Sequence, residues 1–469
     1  MRLPGGRSVA LVGALAASGC GPERGSLVES ACPEVAIAQA SVTVNSTNAL
    51  SALVSAHVHF ADSVIVRFGV GATLDSATPA VRTSNDSAAI AVLGLLPATK
   101  YRMQVEAFSN CGRALGEMLS FETGPLPADL PAYKASGPAP SPGYVVFAAG
   151  SYGLAIDNTG RVVWYRRFPN GPGLNFQPQP NGRYAARPPV PPSVAGLWTE
   201  IAPDGSVTRA LGCAAGLQPR MHDLILQPDG SYWLLCDEIR TLDLSAQGKS
   251  SQAHVLGSGV QWRSAAGDLL FWWSPFDHLP IDLSVLDPPD LAGPIINWTH
   301  ANALDLDSDG NLLVSFRNLS EVTKIDTRTG AVMWRMGGVG NQFAFENTSL
   351  PAFVHQHGVR VSGAGGLMLL DNLGEQSGSR VERYDYDAPR HTASLSDFHS
   401  SAARLTAQVG GSTQSLTDGH TLVSFGNADA VEEYDATGTL VWRLDGDPGY
   451  VFRAIRIRSL YRPGVGDPR

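Results

Sequence analysis

Asn297-Trp-Thr-His300-Ala-Asn302 runs into an alternating stretch, Ala303 to Leu306, and then into the turn Ser308-Asp309-Gly310. Asn311-Leu-Leu-Val-Ser-Phe-Arg317 follows, then Val322-Thr-Lys-Ile-Asp326, a turn at Gly330, and Ala331-Val-Met-Trp334. Four short strands separated by turn residues predict an antiparallel meander. Two strands joined by a tight turn bring their far ends to one sheet edge. His300 and Asn302, at the start of the first strand, therefore meet Arg317 at the end of the second. An imidazole, an amide and a guanidinium on one edge suit an oxyanion; taken alone, each suits an ordinary surface equally well.

The stretch recurs. Gly182, Gly230, Gly365 and Gly419 occupy the place of Gly310, and the five turn glycines are spaced by 48, 80, 55 and 54 residues. A second signature joins an apolar residue and Asp to a turn with Gly and a Val-x-Trp-like strand. Its clearest copies are Ile156-Asp157 to Trp164, Ile325-Asp326 to Trp334, and Tyr434-Asp435 to Trp442, with weaker ones at 201–207, 260–262 and 384–385. Six copies of one signature and five of the other predict an all-β chain carrying a six-bladed β-propeller. Phe452 to Ile457 is the expected closing strand of the first blade, which removes the free edges.

Working outward, the chain is long enough for at least two domains, and its net charge of −9 excludes a nucleic-acid footprint. Residues 1–20 join Arg2 and Arg7 to a short apolar run and then Ala17-Ser-Gly-Cys20. This predicts a lipoprotein signal peptide with Cys20 lipidated, and an exported protein anchored by lipid on the periplasmic or cell-surface side of a bacterial membrane. A plain secretory peptide is the alternative. Cys32, Cys111, Cys213 and Cys236 remain, enough for two disulfides whose pairing the sequence leaves open. Residues 31–124 alternate Val, Ala, Ser and Thr with apolar positions and predict an N-terminal β-sandwich. Leu95-Leu-Pro-Ala-Thr-Lys-Tyr101 looks like a fibronectin type III corner, its tyrosine hydroxyl bonded back to the backbone. Residues 125–142, with six prolines among 18 residues, read as a linker. The propeller is expected over 143–462. The insertion between Trp272 and Thr299 is aromatic and turn-rich, and either covers the working face or serves as a structural crossover.

Eight residues before Gly230, Gly310 and Gly365 stand His222, Asn302 and His357. The innermost strand of each blade lines the central channel, so these share a ring level, with His300 two residues along the strand from Asn302. A lone channel histidine is more often a packing residue than a catalyst; three with an arginine shift that balance. Three histidines also suit zinc, but Arg317 at the same edge opposes a cation, so no metal and no cofactor are expected. His355 reads as a supporting residue.

These residues carry a resemblance. Met221-His222-Asp223, Asn297-Trp298-x-His300-x-Asn302, Ser315-x-Arg317, Gln356-His357, Gly419 to Gly426, Asp277-His278-Leu279-Pro280 and Phe452-Arg453-Ala454 resemble the bacterial arylsulfate sulfotransferases over roughly 143–462. The resemblance implies a six-bladed propeller that moves a sulfuryl group from a phenolic sulfate ester to a phenol, without a nucleotide donor. It assigns the nucleophile to His357 and sulfate binding to His222, His300, Asn302 and Arg317. Trp298 is expected to stack on the phenyl ring, and His222 or His300, if protonated, to donate a proton to the leaving phenolate. Met221 stands where many members carry a further histidine. A non-catalytic surface propeller is the competing reading; a quinone-dependent dehydrogenase ranks last, since that class needs eight blades and acidic calcium ligands.

Overall fold

A computed structural model of the protein describes residues 32–191, 196–349, 351–375, 378–446 and 448–469. The expected signal segment, including Cys20, lies outside the described residues. Almost all regular structure is β-strand.

The N-terminal region is two facing sheets. Ala36–Val44, Ser51–His59 and Ser87–Leu93 form one; Ser63–Val70, Lys100–Ser109 and Gly112–Glu122 form the other, with two short edge strands. The period-2 alternation places Val54, Val58, Val64, Val66, Met103 and Val105 between them, fully buried. The hydroxyl of Tyr101 accepts the Leu96 N–H at 2.8 Å, as the corner motif anticipates. Cys32 pairs with Cys111, and Cys213 with Cys236, which resolves the open pairing.

Six sheets, each built on four antiparallel strands, follow among the described residues, the third and fifth with a short parallel strand added. Their innermost strands are, in chain order, Phe176–Pro178, Gln218–Leu226, Ala301–Leu306, His357–Val361, Ser412–Ser415 and Ala454–Ile457. The last belongs to the first sheet: it pairs antiparallel with Tyr144–Ala149, Phe147 opposite Ala454. The five repeat glycines sit in their turns with φ of 80°, 85°, 77°, 71° and 88°, a left-handed conformation that favours glycine. Signature tryptophans reach across to the next sheet: Trp164 Nε1 donates to the Pro203 carbonyl at 2.7 Å and Trp442 Nε1 to that of Asn158 at 2.9 Å.

Polar side chains stitch the inner strands into a closed ring. Gln177 donates to the Leu224 carbonyl, Asp223 accepts the Leu304 N–H, Asp305 accepts the Val361 N–H, and Thr413 donates to the Gly358 carbonyl. Ala454 N–H donates to the Ser412 hydroxyl, and Arg453 closes the circle on the Gln177 side-chain oxygen. These groups are buried, so each such bond removes the penalty of an orphaned polar atom.

The stretch 125–142 is not a loose linker. Ala135–Ser136 pairs with Leu440–Leu444 as an added edge strand of the sixth sheet, and Leu130 and Tyr133 pack on the core. The insertion folds as two 3₁₀ turns, the short helix Pro288–Ala292 and the strand Ile295–Asn297, with Leu279, Leu283, Leu286 and Ile296 buried.

Candidate active site

A cavity of about 440 Å³ opens at one mouth of the ring, where His222, His300, Arg317, His357, Gly410 and Phe452 converge. Asp287 and Asp290, on the insertion, line its other side, so the insertion covers this face. His222 and His300 meet edge to face with ring centroids 5.1 Å apart; Phe452 lies 5.6 Å from His222 and 6.3 Å from His357.

The strand starts that supply these residues are irregular. Pairing slips between Pro219 and Leu224, between Ala301 and Ala303, and between His357 and Arg360. Such bulges re-aim side chains beside sites. His300 and His355 hold φ of 49° and 54°, costly for residues with a Cβ and tolerated only where the surroundings fix them. Arg317 N–H donates to the His300 carbonyl at 3.1 Å, and Asn318 Nδ2 to the Asn297 carbonyl at 2.7 Å, which fastens the hairpin end.

His357 is the most closely specified group. Its Nδ1 lies 2.9 Å from Asn372 Oδ1 and 3.0 Å from the His355 carbonyl, two acceptors, so the proton sits on Nδ1. Nε2 then carries the lone pair and accepts the Gly410 N–H at 3.2 Å. Burial pushes its pKa down to about 3, against the raising effect of the Asn372 bond. Burial likewise holds His222 and His300 well below the ordinary imidazole range, and Arg220 lowers both further. All three rings are therefore neutral near pH 7. The condition attached to an acid role for His222 or His300, a protonated ring, is disfavoured by this burial, and both remain hydrogen-bond donors. For His300 the donor is Nε2–H, because Asn297 Nδ2 donates to its Nδ1 at 2.8 Å and to Asp290 Oδ1 at 2.7 Å.

Arg317 is mostly buried, and burial pulls its pKa down, while Asp290 and Asp287 raise it. Its Nη1 bonds Asn318 Oδ1 at 2.7 Å and lies 3.9 Å from Asp290 Oδ2; Nε is buried with no acceptor among the described residues. His355 supports the site as anticipated: its carbonyl orients His357, and its Nε2 faces Asp287 at 3.6 Å.

Two expected residues lie elsewhere. Asn302 does not line the cavity; it is fully buried and its amide donates to the Gln356 carbonyl at 2.7 Å. Counting back from the turn glycine assumed unbroken alternation, and the bulge between Ala301 and Ala303 turns Asn302 inward while His300 faces the cavity. Trp298 is fully buried in the core against Phe276, with centroids 5.1 Å apart, so it cannot meet a substrate ring. Phe452 and Tyr450 are the aromatics on the cavity wall. Asn372, Gly410, Asp287 and Asp290 were not foreseen. Asn372 directly follows the strand paired with His357, a signal visible only once that pairing is known.

The family model of the arylsulfotransferases (ASST) matches residues 218–447. Over that span the chain belongs to the arylsulfotransferase family. The matched span of this arylsulfotransferase-family chain holds His222, His300, Arg317 and His357 but not Phe452. No match is found among curated proteins. Among solved structures, a protein of unknown function from Bacteroides caccae is similar at 13% identity and TM-score 0.44, covering 68% of this chain and 100% of that one. A streptogramin B lyase is similar at 13% identity and TM-score 0.35, covering 66% and 81%. A catalytically inactive virginiamycin B lyase from Staphylococcus aureus is similar at 10% identity and TM-score 0.33, covering 88% and 99%.

Proposed function

We propose that this protein is an aryl sulfotransferase that carries the sulfuryl group on His357 between a phenolic sulfate donor and a phenol acceptor, without a nucleotide sulfate. The observation that carries the reading is the hydrogen bonding of His357: Nδ1–H is fixed on Asn372 and the His355 carbonyl, which leaves the unprotonated lone pair on Nε2, where the Gly410 N–H of the cavity wall meets it. A neutral imidazole is a competent nucleophile near pH 7. Nε2 attacks sulfur, the S–O bond to the aryl group breaks, and the electron pair leaves with the phenolate. The acceptor oxygen then attacks the same sulfur, the S–N bond breaks, and Nε2 regains its lone pair. The proton of the acceptor phenol ends on the departed phenolate, so both halves balance with His357 unchanged. Arg317 and the N–H groups of His300 and His222 would hold the sulfuryl oxygens, where fixed donors oppose the charge that builds up.

The proposal extends to the whole protein: a six-bladed β-propeller preceded by a fibronectin type III-like sandwich, exported and anchored through lipid on Cys20. The closed ring of inner strands supports the first; the basic, apolar and small-residue order of residues 1–20 supports the last.

The test is a ³⁵S-labelled aryl sulfate, quenched in alkali and followed by peptide mapping. Label is expected on the peptide holding His357, and His357→Ala loses both label and turnover. Label on a His222 or His300 peptide would overturn the assignment.

A further inference from the structure

Beside the transfer site lies a second cavity of about 440 Å³, a size typical of small-molecule pockets. His222 lines both cavities, so the two adjoin at that ring. One part of the second wall is apolar: Pro189, Val190, Pro219 and Met221. Met221, next to His222 on the irregular start of the strand, is 38% exposed.

The polar part of the wall is Arg187, Arg220 and Asp237, and its charges do not cancel. Asp237 is already engaged. Its Oδ1 accepts Arg220 Nη1 at 2.9 Å and the Ser258 hydroxyl at 2.8 Å. Arg220 is buried and also donates from Nε to the Ala301 carbonyl at 2.7 Å. Arg187 is left over. Its Nε is buried with no acceptor, and no carboxylate lies within ion-pair reach of it, among the described residues. Burial pulls its pKa below the ordinary value, with Asp237 the opposing charge. A partly buried guanidinium without a partner among the described residues, on the same cavity wall as Pro189, Val190 and Pro219, matches a flat ring carrying an anionic group, which it can grip through two parallel bonds.

We propose that this second chamber receives the ring of a phenolic substrate bearing a carboxylate, with Arg187 binding that carboxylate while the phenolic oxygen points past His222 toward His357. The proposal rests on the sulfuryl-transfer reading and narrows it to hydroxybenzoate-like phenols and their sulfates. The ring would lie against Pro189, Val190 and Pro219. The carboxylate supplies the charge that Arg187 lacks, and the phenolic end enters the cavity that holds Arg317 and the three imidazoles.

Titration calorimetry with 3- and 4-hydroxybenzoate against unsubstituted phenol tests this without needing turnover. At least one hydroxybenzoate should bind the unaltered protein roughly tenfold or more tightly than phenol, the scale of a charged hydrogen bond. Arg187→Gln should erase that ratio, and Arg187→Lys should restore part of it. Equal binding of all three ligands to the unaltered protein overturns the proposal, and that measurement requires no variant to fold. So does a preference that survives Arg187→Gln. Turnover of 4-nitrophenyl sulfate is measured in parallel. Turnover with no carboxylate preference sinks only this proposal. A clear preference in a protein inert toward every aryl sulfate sinks only the transfer reading.

Discussion

At the scale of the residue, the decisive feature is which nitrogen of His357 bears the proton. Asn372 Oδ1 and the His355 carbonyl can only accept, so they fix Nδ1–H. Asn372 is itself held, its Nδ2 donating to the Ala407 and Gly410 carbonyls at 2.8 and 3.0 Å. Asn372→Leu removes one of the two acceptors that hold Nδ1–H and leaves the ring on the His355 carbonyl alone, less firmly oriented. Turnover should fall by on the order of 10²-fold, comparable to losing one preorganised polar group, with substrate affinity little changed; steady-state kinetics separates the two. The same burial predicts a pH effect. The folded-state pKa of His357 is about 3 against an ordinary 6.5, so below pH 6.5 the unfolded chain binds a proton that the folded chain refuses. The stability associated with the neutral ring is thus fully present above 6.5 and is lost as pH falls toward 3. His222 and His300 act in the same direction. Thermal unfolding should show Tm declining from pH 6.5 to pH 4.5, and less steeply in His357→Gln. If His357 carries the sulfuryl group as proposed, turnover should keep no acid limb near 6.5 from its ring. Four of the site residues, His222, His300, Arg317 and His357, were legible in the sequence from repeat register and hairpin geometry. Asn372 was not, because its partner lies across a strand pair rather than along the chain. Asn302 was misplaced because a bulge breaks the alternation on which the register count relied, and Trp298 because its aromatic character alone does not tell a core residue from a wall residue.

At the scale of the element, the insertion places two carboxylates over the cavity that holds Arg317 and the three imidazoles. Asp290 has two roles that pull apart: it accepts the Asn297 amide that sets the His300 tautomer, and it stands 3.9 Å from Arg317. Asp290→Asn keeps an oxygen for Asn297 but removes the negative charge. Arg317 is then freer, and repulsion of an incoming sulfate is reduced. The KM for an aryl sulfate should fall severalfold while kcat changes little. An unchanged or raised KM would show that the carboxylate acts on the ring of the substrate or its leaving group instead. The sequence displayed the insertion as an 80-residue gap between turn glycines, but it did not say what the insertion does. Its acidic residues act through placement over the mouth, and placement follows from Leu279, Leu283 and Leu286 docking into the core. Repeated turn glycines and signature tryptophans made the sheets legible for the opposite reason: both are local devices that each sheet must supply for itself.

At the scale of the molecule, the ring closes on a buried charge cluster directly below the site. Asp223, next to His222 in sequence, is fully buried and takes Arg453 at 2.6 Å, Arg360 at 3.2 Å and Arg469 at 3.4 Å. The three guanidiniums hold its carboxyl far below the usual range, and burial in turn lowers Arg453 to about 10. Arg453 is the hinge of this arrangement. It precedes the closing strand Ala454–Ile457, whose pairing with Tyr144–Ala149 joins the two ends of the ring, and it bonds Gln177 of the neighbouring sheet at 2.7 Å. Removing one partner of a buried pair strands the other, at a cost of about 3–5 kcal/mol, whereas replacing both with apolar groups can cost far less. Asp223→Ala leaves Arg453 and Arg360 buried without an anion, while Arg469 keeps Asp305 at 3.5 Å. Arg453→Leu leaves Asp223 with two arginines and loses the tie to Gln177. The expected order of stability in a denaturant titration is therefore unaltered protein, then Arg453→Leu, then Asp223→Ala, with the last lowered by at least that amount. Asp223→Leu combined with Arg453→Leu should recover part of the loss seen in Asp223→Ala but not all of it, because Arg360 stays buried without an anion, while Arg469 keeps Asp305 at 3.5 Å. If the double variant instead regains the stability of the unaltered protein, the cluster is a simple ion pair. The ring would then be closed by strand pairing alone, and the channel would not depend on a shared anion.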